Sequence, residues 1–498
     1  MARAKLRRAG AALLLAVVLP LALSTAARPA AAQTQQATVG EQHTQPTFQN
    51  LNGFMWFYNT YFGYKYKDIT RQLDHFKADG IRVLGFFSPY HGDRNQCDGC
   101  DPLDFYSVSP QNGTIQDWRD LVKAAHERGM KVVGYFVNIY MDENAPFFKT
   151  AQEQYARGDR TSREVSAIRW TTNPADPLPP LQMPPNPGVS HWEWSPIAGA
   201  YYWKLWFGPG FDWSLPSSVA EVTRIEKFWL DTGIDGFMWD VGTTNSLFKP
   251  YAVDLPKTYT SNDKWLTFER ASASNAAVYK DFGLTSWFNY QDNDIVANDY
   301  TRVVNGEIDA NGLETALKGS DYARSVGTTT YAWSISADDP DANLIPHSYP
   351  SYPNDEVMRV QEAALLAGAG ILYGGFMYDQ YLHWSPTLRA NWDRVLRTVN
   401  DNKALLPSAN RVRVPAGSDP DVYAMRRTSQ DGKQTALLVY NFHNTATNVT
   451  VDLTGAGIKT KQQPKDLYNG GKAAPIHGTS YTVSLPAYGF TMLQVKTN

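Results

Sequence analysis

One unit recurs along the chain: an amphipathic helix, a glycine that ends it, and a short apolar strand. The helix predicted over residues 68–79 ends at Gly80, and the apolar run 81–87 follows directly. Glycine is the expected stop because it adopts the left-handed conformation past the last helical turn without strain. A strand that alternates with a helix predicts parallel βαβ units. The same order returns after three further helices, predicted over residues 115–128, 218–232 and 357–367.

The number of strands decides which parallel fold these units build. Eight βα units that close on themselves form a TIM barrel. An open doubly wound sheet is disfavoured by the strand count and because no Gly-rich phosphate loop follows the first strand. We therefore predict a (β/α)8 barrel over residues 49–404. The eight predicted strands cover residues 52–57, 81–87, 131–137, 234–239, 284–290, 302–308, 328–335 and 370–374.

Two segments depart from the repeating unit. Residues 140–217 form a long excursion between the third and fourth strands, first rich in proline and then in aromatic residues such as Trp192 and Tyr201. We interpret it as a subdomain inserted on a barrel loop, on the side where active sites of this fold lie. From about residue 405, short alternating segments separated by turns replace the helical periodicity. This pattern predicts a C-terminal antiparallel β-sandwich over residues 405–498.

The N-terminus is typical of an exported protein. Residues 1–9 carry four basic side chains, residues 11–23 are apolar and uncharged, and Ala30-Ala31-Ala32 supplies a small-residue cleavage site. This order predicts a secretory signal peptide over residues 1–32 and a flexible polar arm over residues 33–48. No later apolar stretch is long enough for a membrane span. We therefore expect a secreted protein, extracellular or periplasmic.

The charge balance and the cysteines narrow the function further. The chain carries 46 basic and 49 acidic residues, a formal net charge of −3, so no basic excess indicates a nucleic-acid partner. Cys97 and Cys100, the two cysteines of the chain, stand close together as Cys-Asp-Gly-Cys. In an exported protein without a second Cys or His pair to complete a zinc site, they predict a small structural disulfide.

Catalytic side chains in a TIM barrel follow the C-terminal ends of its strands. Asp240 follows the fourth predicted strand, Asp292 the fifth, Glu307 the sixth, and Asp338 and Asp339 the seventh. A carboxylate directly after an apolar run has to be paired or functional, because burying an isolated charge is costly. Since these strand ends meet at one mouth, we predict an acidic cleft there.

Paired carboxylates in an aromatic cleft suit glycoside chemistry. One carboxylate attacks the sugar, and the other, protonated, delivers a proton to the leaving oxygen. This chemistry requires no cofactor, and the chain has neither a His cluster for a transition metal nor a G-x-S-x-G elbow for a serine nucleophile. The predicted catalytic residues are Asp240, Glu307 and Asp338. The predicted substrate-binding residues are Trp239, Trp287, Asp292 and Asp339.

Three segments carry a resemblance to a known family: residues 104–114 (DFYSVSPQNGT), 117–133 (DWRDLVKAAHERGMKVV) and 228–237 (FWLDTGIDGF). Together they resemble the α-amylase superfamily of retaining α-glycoside hydrolases and transglycosylases, over residues 51–495. The family also inserts a B domain where the excursion lies and ends in a β domain. The resemblance implies Asp240 as nucleophile, an α-linked oligo- or polysaccharide as substrate, and Asn138 as a ligand of a structural calcium ion.

The sequence departs from the family at positions that matter for catalysis. Met238 stands where the family has an Arg two residues before the nucleophile. Ile139 stands where the first motif has a His, and residues 336–339 (SADD) replace the Asn-His-Asp of the last motif. Two interpretations stay open: an enzyme that acts on an altered saccharide, or a catalytically decayed saccharide-binding protein.

The sequence offers two candidates for the general acid. The resemblance implies a Glu on the fifth strand, whereas the predicted fifth strand is followed by Asp292 and the predicted sixth by Glu307. Barrel glycosidases that use the fourth and sixth strands would favour Glu307. Glu307 and Asp292 therefore remain alternatives for the acid.

Overall fold

In a computed structural model of the chain, strands and helices alternate from residue 48 to residue 401. The structure describes residues 48–93, 101–137, 139–179, 190–240, 254–255, 264–268, 275–284, 286–287, 296–332, 356–373 and 376–498. All of them belong to one unit, Gln45–Asn498. The predicted signal peptide, most of the arm and both cysteines lie outside the described residues. Among the described helices, none is long and apolar enough to cross a membrane.

The first part of the chain follows the predicted alternation. Gly80 ends the second helix with a φ of 97°, in the left-handed region. Thr114 and Asp117 cap the third helix reciprocally, because each side chain accepts a hydrogen bond from the other residue's backbone N–H. The elements are β1 (Phe54–Phe57), α1 (Asn59–Phe62), α2 (Tyr66–Asp79), β2 (Val83–Phe87), β3 (His91–Gly92), β4 (Pro102–Asp104), α3 (Ile115–Glu127) and β5 (Lys131–Phe136), with 3-10 turns at Phe48–Asn50 and Pro110–Asn112.

The excursion between the third and fourth barrel strands contains a small antiparallel sheet. Its elements are α4 (Pro146–Ala156), α5 (Arg163–Ser166), β6 (Trp170–Thr171), β7 (Ser190–Ser195), β8 (Ala200–Leu205) and β9 (Gly208–Pro209), and α6 (Pro216–Leu230) leads back to the barrel. The N–H of Met141 donates to the Pro209 carbonyl at 3.1 Å, and the N–H of Phe211 donates to the Ile139 carbonyl at 2.7 Å. A Cβ on Gly208 would lie 1.9 Å from the Met141 carbonyl oxygen, so only glycine permits this approach. The β8–β9 hairpin is thereby tied to the segment that follows β5.

The second half of the barrel corrects two predicted strands. Residues 302–308 are not a strand, because the apolar residues Val303 and Val304 close an amphipathic helix. The fifth strand lies earlier, at residues 265–268, and the predicted fifth strand at 284–290 is the sixth. The elements are β10 (Gly236–Trp239), β11 (Trp265–Phe268), α7 (Ala276–Phe282), β12 (Ser286–Trp287), α8 (Val296–Val304), α9 (Ala310–Val326), β13 (Thr329–Ala332), α10 (Glu356–Gly368), β14 (Leu372–Tyr373), β15 (Phe376–Met377), α11 (Tyr378–His383) and α12 (Pro386–Asp401).

The parallel strands close into a barrel. One sheet has the order β11-β10-β5-β2-β1-β15 and a second the order β12-β13-β14. Ring contacts join strands across the interior: Tyr331 of β13 lies 5.2 Å from Phe54 of β1 and 5.3 Å from Trp265 of β11 between ring centroids. The indole N–H of Trp56 donates to the Tyr331 hydroxyl at 2.6 Å. Strands from both sheets thus share one aromatic interior, which confirms the predicted (β/α)8 barrel.

The C-terminal region is antiparallel, as predicted. Its strands are β16 (Asn410–Val414), β17 (Val422–Thr428), β18 (Thr435–Asn441), β19 (Thr447–Asp452), β20 (Lys465–Asp466), β21 (Ser480–Leu485) and β22 (Phe490–Val495). They form a five-stranded sheet in the order β16-β17-β18-β22-β20 and a pair β19-β21. Leu437 and Leu493 of the larger sheet pack in one cluster with Val449 and Val451 of the pair. Arg427, fully buried, donates to the carbonyls of residues 369, 404 and 406 and so joins this domain to the barrel.

A buried acid on α12 makes stability depend on pH. Asp393 lies beside the Tyr381 hydroxyl and near Asp79; burial raises its pKa from 3.8 to about 7, and the charge of Asp79 acts in the same direction. The folded state therefore holds a proton that the unfolded chain releases, and stability falls as pH rises from about 4 to 7. Asp393→Asn cannot ionise, so its melting temperature should exceed that of the parent by several degrees at about pH 8 and match it at about pH 4. Parallel melting curves for the two proteins at every pH would contradict this assignment.

Candidate active site

Asp240 occupies the strand end that the sequence predicts. It follows β10, whose four residues are all buried, and its own exposed fraction is 8%. Its backbone N–H donates to the Phe136 carbonyl of β5 at 2.9 Å, which continues the ladder one residue past the strand. Met238 is fully buried, and among the described residues no Lys or Arg forms an ion pair with Asp240. The carboxylate therefore sits at an apolar strand end without the cation that the family motif would supply.

Two of the predicted site residues lie elsewhere than expected. Trp239 is fully buried and its indole donates to Glu226 at 3.0 Å, so it offers no ring face to a sugar. The prediction was wrong because side chains alternate along a strand, and the Trp239 ring packs against α6, where Glu226 lies. Glu307 lies in the connection between α8 and α9, half-exposed, with an oxygen 3.8 Å from the Arg302 guanidinium. The strand that placed Glu307 at the mouth is a helix, and the argument for it as the acid fails.

Of the remaining predicted residues, only Trp287 lies in a described element. Trp287 belongs to β12. The others lie outside the described residues: Asn138, Asp292, Asp338 and Asp339.

A second carboxylate emerges once the fifth strand is identified. β10 and β11 pair in parallel, and their last rung sets Trp239 opposite Phe268. In the sequence Asp240 directly follows one strand and Glu269 directly follows the other. Glu269 itself lies outside the described residues. The sequence contains a signal for Glu269, since the mostly apolar run at residues 265–268 (WLTF) is followed directly by a carboxylate, as at Asp240.

The structure also places a buried acid near Asp240 that no strand pattern indicated. Asp101, just before β4, is fully buried, and its Oδ1 atom accepts a hydrogen bond from the Tyr140 hydroxyl. Its Oδ2 atom has no partner among the described residues. Burial raises the pKa of Asp101 to about 7, and the charges of Asp142, Asp93 and Asp240 act in the same direction. This carboxyl can therefore exchange a proton near neutral pH.

Two buried tyrosines complete the described part of the site. Burial raises the pKa of Tyr90 and of Tyr140, and the negative charge of Asp240 adds to the rise. Both hydroxyls therefore stay protonated and act as hydrogen-bond donors. The Tyr140 ring lies 5.7 Å from the Trp206 ring at the tip of the β8–β9 hairpin, next to Phe207, which is 43% exposed. Aromatic surface thus borders the acidic residues.

Comparisons with known sequences identify both parts of the chain. Residues 48–315 match the family model described as alpha amylase, catalytic domain, and residues 413–492 match the one described as maltogenic amylase, C-terminal domain. The chain is 29% identical over 177 residues to an oligo-1,6-glucosidase of Parageobacillus thermoglucosidasius, covering 35% of this chain and 30% of that protein. It is 28% identical over 177 residues to a trehalose synthase of Thermus thermophilus, covering 35% and 17%. The match spans less than a third of the length of either relative.

Solved structures show the same fold. Eubacterium rectale Amy13B superposes with a TM-score of 0.68 at 16% identity, over 91% of this chain and 97% of that one. The alpha-amylase from H.orenii superposes with a TM-score of 0.68 at 17% identity, over 90% and 100%. The barrel and the C-terminal β domain therefore have the architecture of these proteins.

The contact between Tyr140 and Asp101 gives a titration test. The Tyr140 hydroxyl stabilises the charged form of Asp101, so Tyr140→Phe should raise the pKa of Asp101 further above about 7. Carboxyl 13C NMR on aspartate-labelled protein measures the shift, and the Asp101→Asn spectrum assigns the resonance. A pKa in Tyr140→Phe equal to or below that of the parent would show that the hydrogen bond does not control this acid.

Proposed function

The chain belongs to the alpha-amylase family, and we propose that it is a secreted retaining glycoside hydrolase or transglycosylase that acts on an α-linked oligo- or polysaccharide. The observation that carries the proposal is Asp240, a nearly buried carboxylate directly after β10 with another carboxylate following the adjacent strand. The names of the curated relatives, an oligo-1,6-glucosidase and a trehalose synthase, favour short α-linked glucosides as the first substrates to assay. Export, with a Cys97–Cys100 disulfide, is proposed from the sequence alone.

We assign the two steps of the reaction to Asp240 and Glu269. A carboxylate oxygen of Asp240 bonds to the anomeric carbon while the bond to the leaving oxygen breaks, and protonated Glu269 gives that oxygen its proton. Glu269, now ionised, takes a proton from water or from an acceptor hydroxyl, whose oxygen displaces Asp240 from the sugar. Glu269 replaces the earlier candidates because the family resemblance implies a Glu after the fifth strand, and the fifth strand is β11.

The described polar groups suit binding of the sugar that reacts. The Tyr140 hydroxyl donates its proton to Asp101 Oδ1, and the buried Oδ2 atom of the same carboxyl can accept from a sugar hydroxyl. These groups supply hydrogen bonds in a site that lacks the His positions of the family. We infer that the altered motifs reflect an altered saccharide.

A non-catalytic saccharide-binding protein is the second candidate. It is favoured by Met238, which leaves Asp240 without a cation to stabilise its charged form among the described residues. Release of reducing sugar separates the two candidates, since a binding protein retains the saccharide unchanged.

A structural calcium ion near Asn138 is part of the proposal. Asp142, four residues further along, is buried, and its Oδ2 atom has no hydrogen-bond partner among the described residues. Burial raises the pKa of Asp142, so a nearby cation would stabilise its ionised form. Carboxylate and amide oxygens are the donors that Ca²⁺ takes, in sets of about six to eight. We propose Asn138 and Asp142 as two of its ligands, with a purely structural role.

Removal of the nucleophile should abolish turnover. Asp240→Asn keeps the shape of the side chain but cannot form the glycosyl ester, so kcat should fall on the order of 10³-fold or more with saccharide binding nearly intact. Asp231→Asn, an exposed acid that pairs with Lys227 at the end of α6, is the matched control. Full activity of Asp240→Asn on any saccharide would refute the assignment.

The acid has a distinct kinetic signature. Glu269→Gln should be strongly impaired on natural saccharides and should regain part of the first-step rate on an aryl glycoside with a good leaving group, which needs little protonation. Glu307→Gln should turn over normally. If Asp292→Asn shows the leaving-group rescue instead, the fifth-strand assignment is wrong.

The calcium proposal predicts a chelator effect. Dialysis against EDTA should lower the melting temperature by several degrees, and added Ca²⁺ should restore it, because the ion binds the folded state. Asp142→Asn should lose most of this response. A melting temperature that neither EDTA nor Ca²⁺ changes would argue against the ion.

A further inference from the structure

A cleft of about 670 Å³ opens between α12 of the barrel and the C-terminal domain. On the barrel side, Thr387, Asn391 and Arg394 line it from one face of α12, at i, i+4 and i+7. On the other side lie Tyr468 and Phe490. The cleft shares no residue with the candidate active site.

The aromatic wall of the cleft is held in place by contacts from both domains. The rings of Tyr468 and Phe490 lie 4.9 Å apart between centroids, tilted by 55°. The Tyr468 hydroxyl donates to the backbone carbonyl of Asn391 at 3.3 Å, and the Arg394 guanidinium lies 5.2 Å from the Tyr468 ring. Both rings are half-buried, so part of their surface remains open to the cleft.

The polar side chains that α12 presents to the cleft have hydrogen-bonding groups without a partner among the described residues. Within the part of the chain that the structure describes, the side chains of Thr387, Asn391 and Arg394 form neither a hydrogen bond nor an ion pair. They therefore present donors and acceptors to whatever occupies the cleft. Along the helix axis the three residues span roughly 10 Å, which suits a chain of sugars better than a single ring.

Tyr488, which also lines the cleft, has an unusual backbone conformation. Tyr488, in the turn between β21 and β22, has a φ of 49°, and its N–H donates to the His443 carbonyl at 2.9 Å. A bulky aromatic residue rarely adopts this left-handed conformation, and residues held in it cluster at ligand-binding sites.

The chemistry of the lining selects the kind of ligand. The lining contains one cation, Arg394, and two acids, Glu356 and Asp466, so the cleft has no excess of positive charge for a phosphate or another anion. Aromatic surface combined with amide and hydroxyl groups matches a neutral polyhydroxy chain with apolar ring faces. We propose that the cleft is a second, non-catalytic binding site for an α-glucan oligosaccharide. This proposal rests on the proposed function for its substrate class.

Binding is tested separately from turnover in the Asp240→Asn protein, with maltoheptaose as the probe in isothermal titration. Two sites are expected in this background. Combined Asn391→Ala and Arg394→Ala should weaken one of them on the order of tenfold. Tyr468→Ala should have the same effect, and circular dichroism verifies that it folds. Arg397→Ala removes a cation from the same helix outside the cleft lining, and Tyr322→Ala removes an exposed ring on α9, so both controls should keep two sites.

The outcomes distinguish this proposal from the proposed function. If both sites persist in the cleft variants, the cleft proposal is wrong. It is also wrong if the Asp240→Asn protein has a single site that the cleft substitutions do not weaken. Neither result contradicts the proposed active site. A site that the cleft substitutions abolish, in a protein whose unmutated form cleaves no saccharide, supports the cleft and overturns the proposed function. In an active enzyme, the cleft variants should cleave a short aryl α-glucoside at the parent rate and lose efficiency only on long chains.

Discussion

The parallel pairing of β10 between β5 and β11 is the constraint on which the site depends. The ladder runs one residue past the strand, where the Asp240 N–H binds the Phe136 carbonyl. This bond fixes the backbone of a carboxylate that an apolar strand delivers to the rim of the barrel. The same register sets the end of β11 beside the end of β10, with Phe268 opposite Trp239.

The inserted antiparallel sheet places aromatic and hydroxyl groups beside the acidic residues of the candidate active site. Backbone bonds between residues 139–141 and 209–211 attach its hairpin to the end of β5, and Gly208 permits the close approach. As a result Tyr140 lies between the hairpin tip and Asp101, with its hydroxyl on the acid and its ring beside Trp206. The insertion therefore shapes the mouth of the barrel, and a shift of the hairpin would alter the environment of Asp101.

The sequence predicted the barrel and the strand end at Asp240 because helix, glycine and strand repeat with clear periodicity. It failed in the stretch between β10 and β13, where β11 was not recognised as the fifth strand. Val303 and Val304, at the end of α8, are β-branched residues that also favour strands, and they imitate one. The error moved the acid from Glu269 to Glu307. Burial of Trp239 and the proximity of Asp101 to Asp240 depend on tertiary contacts, which local periodicity does not encode.

Covalent trapping tests the central claim most directly. A fluorinated glycosyl donor with a good leaving group forms the glycosyl-enzyme ester quickly and releases it slowly, so the intermediate accumulates. Peptide mass spectrometry of the trapped protein then locates the sugar. We expect one added glycosyl group on Asp240, absent from Asp240→Asn. A glycosyl group on any other carboxylate of an active enzyme would contradict it.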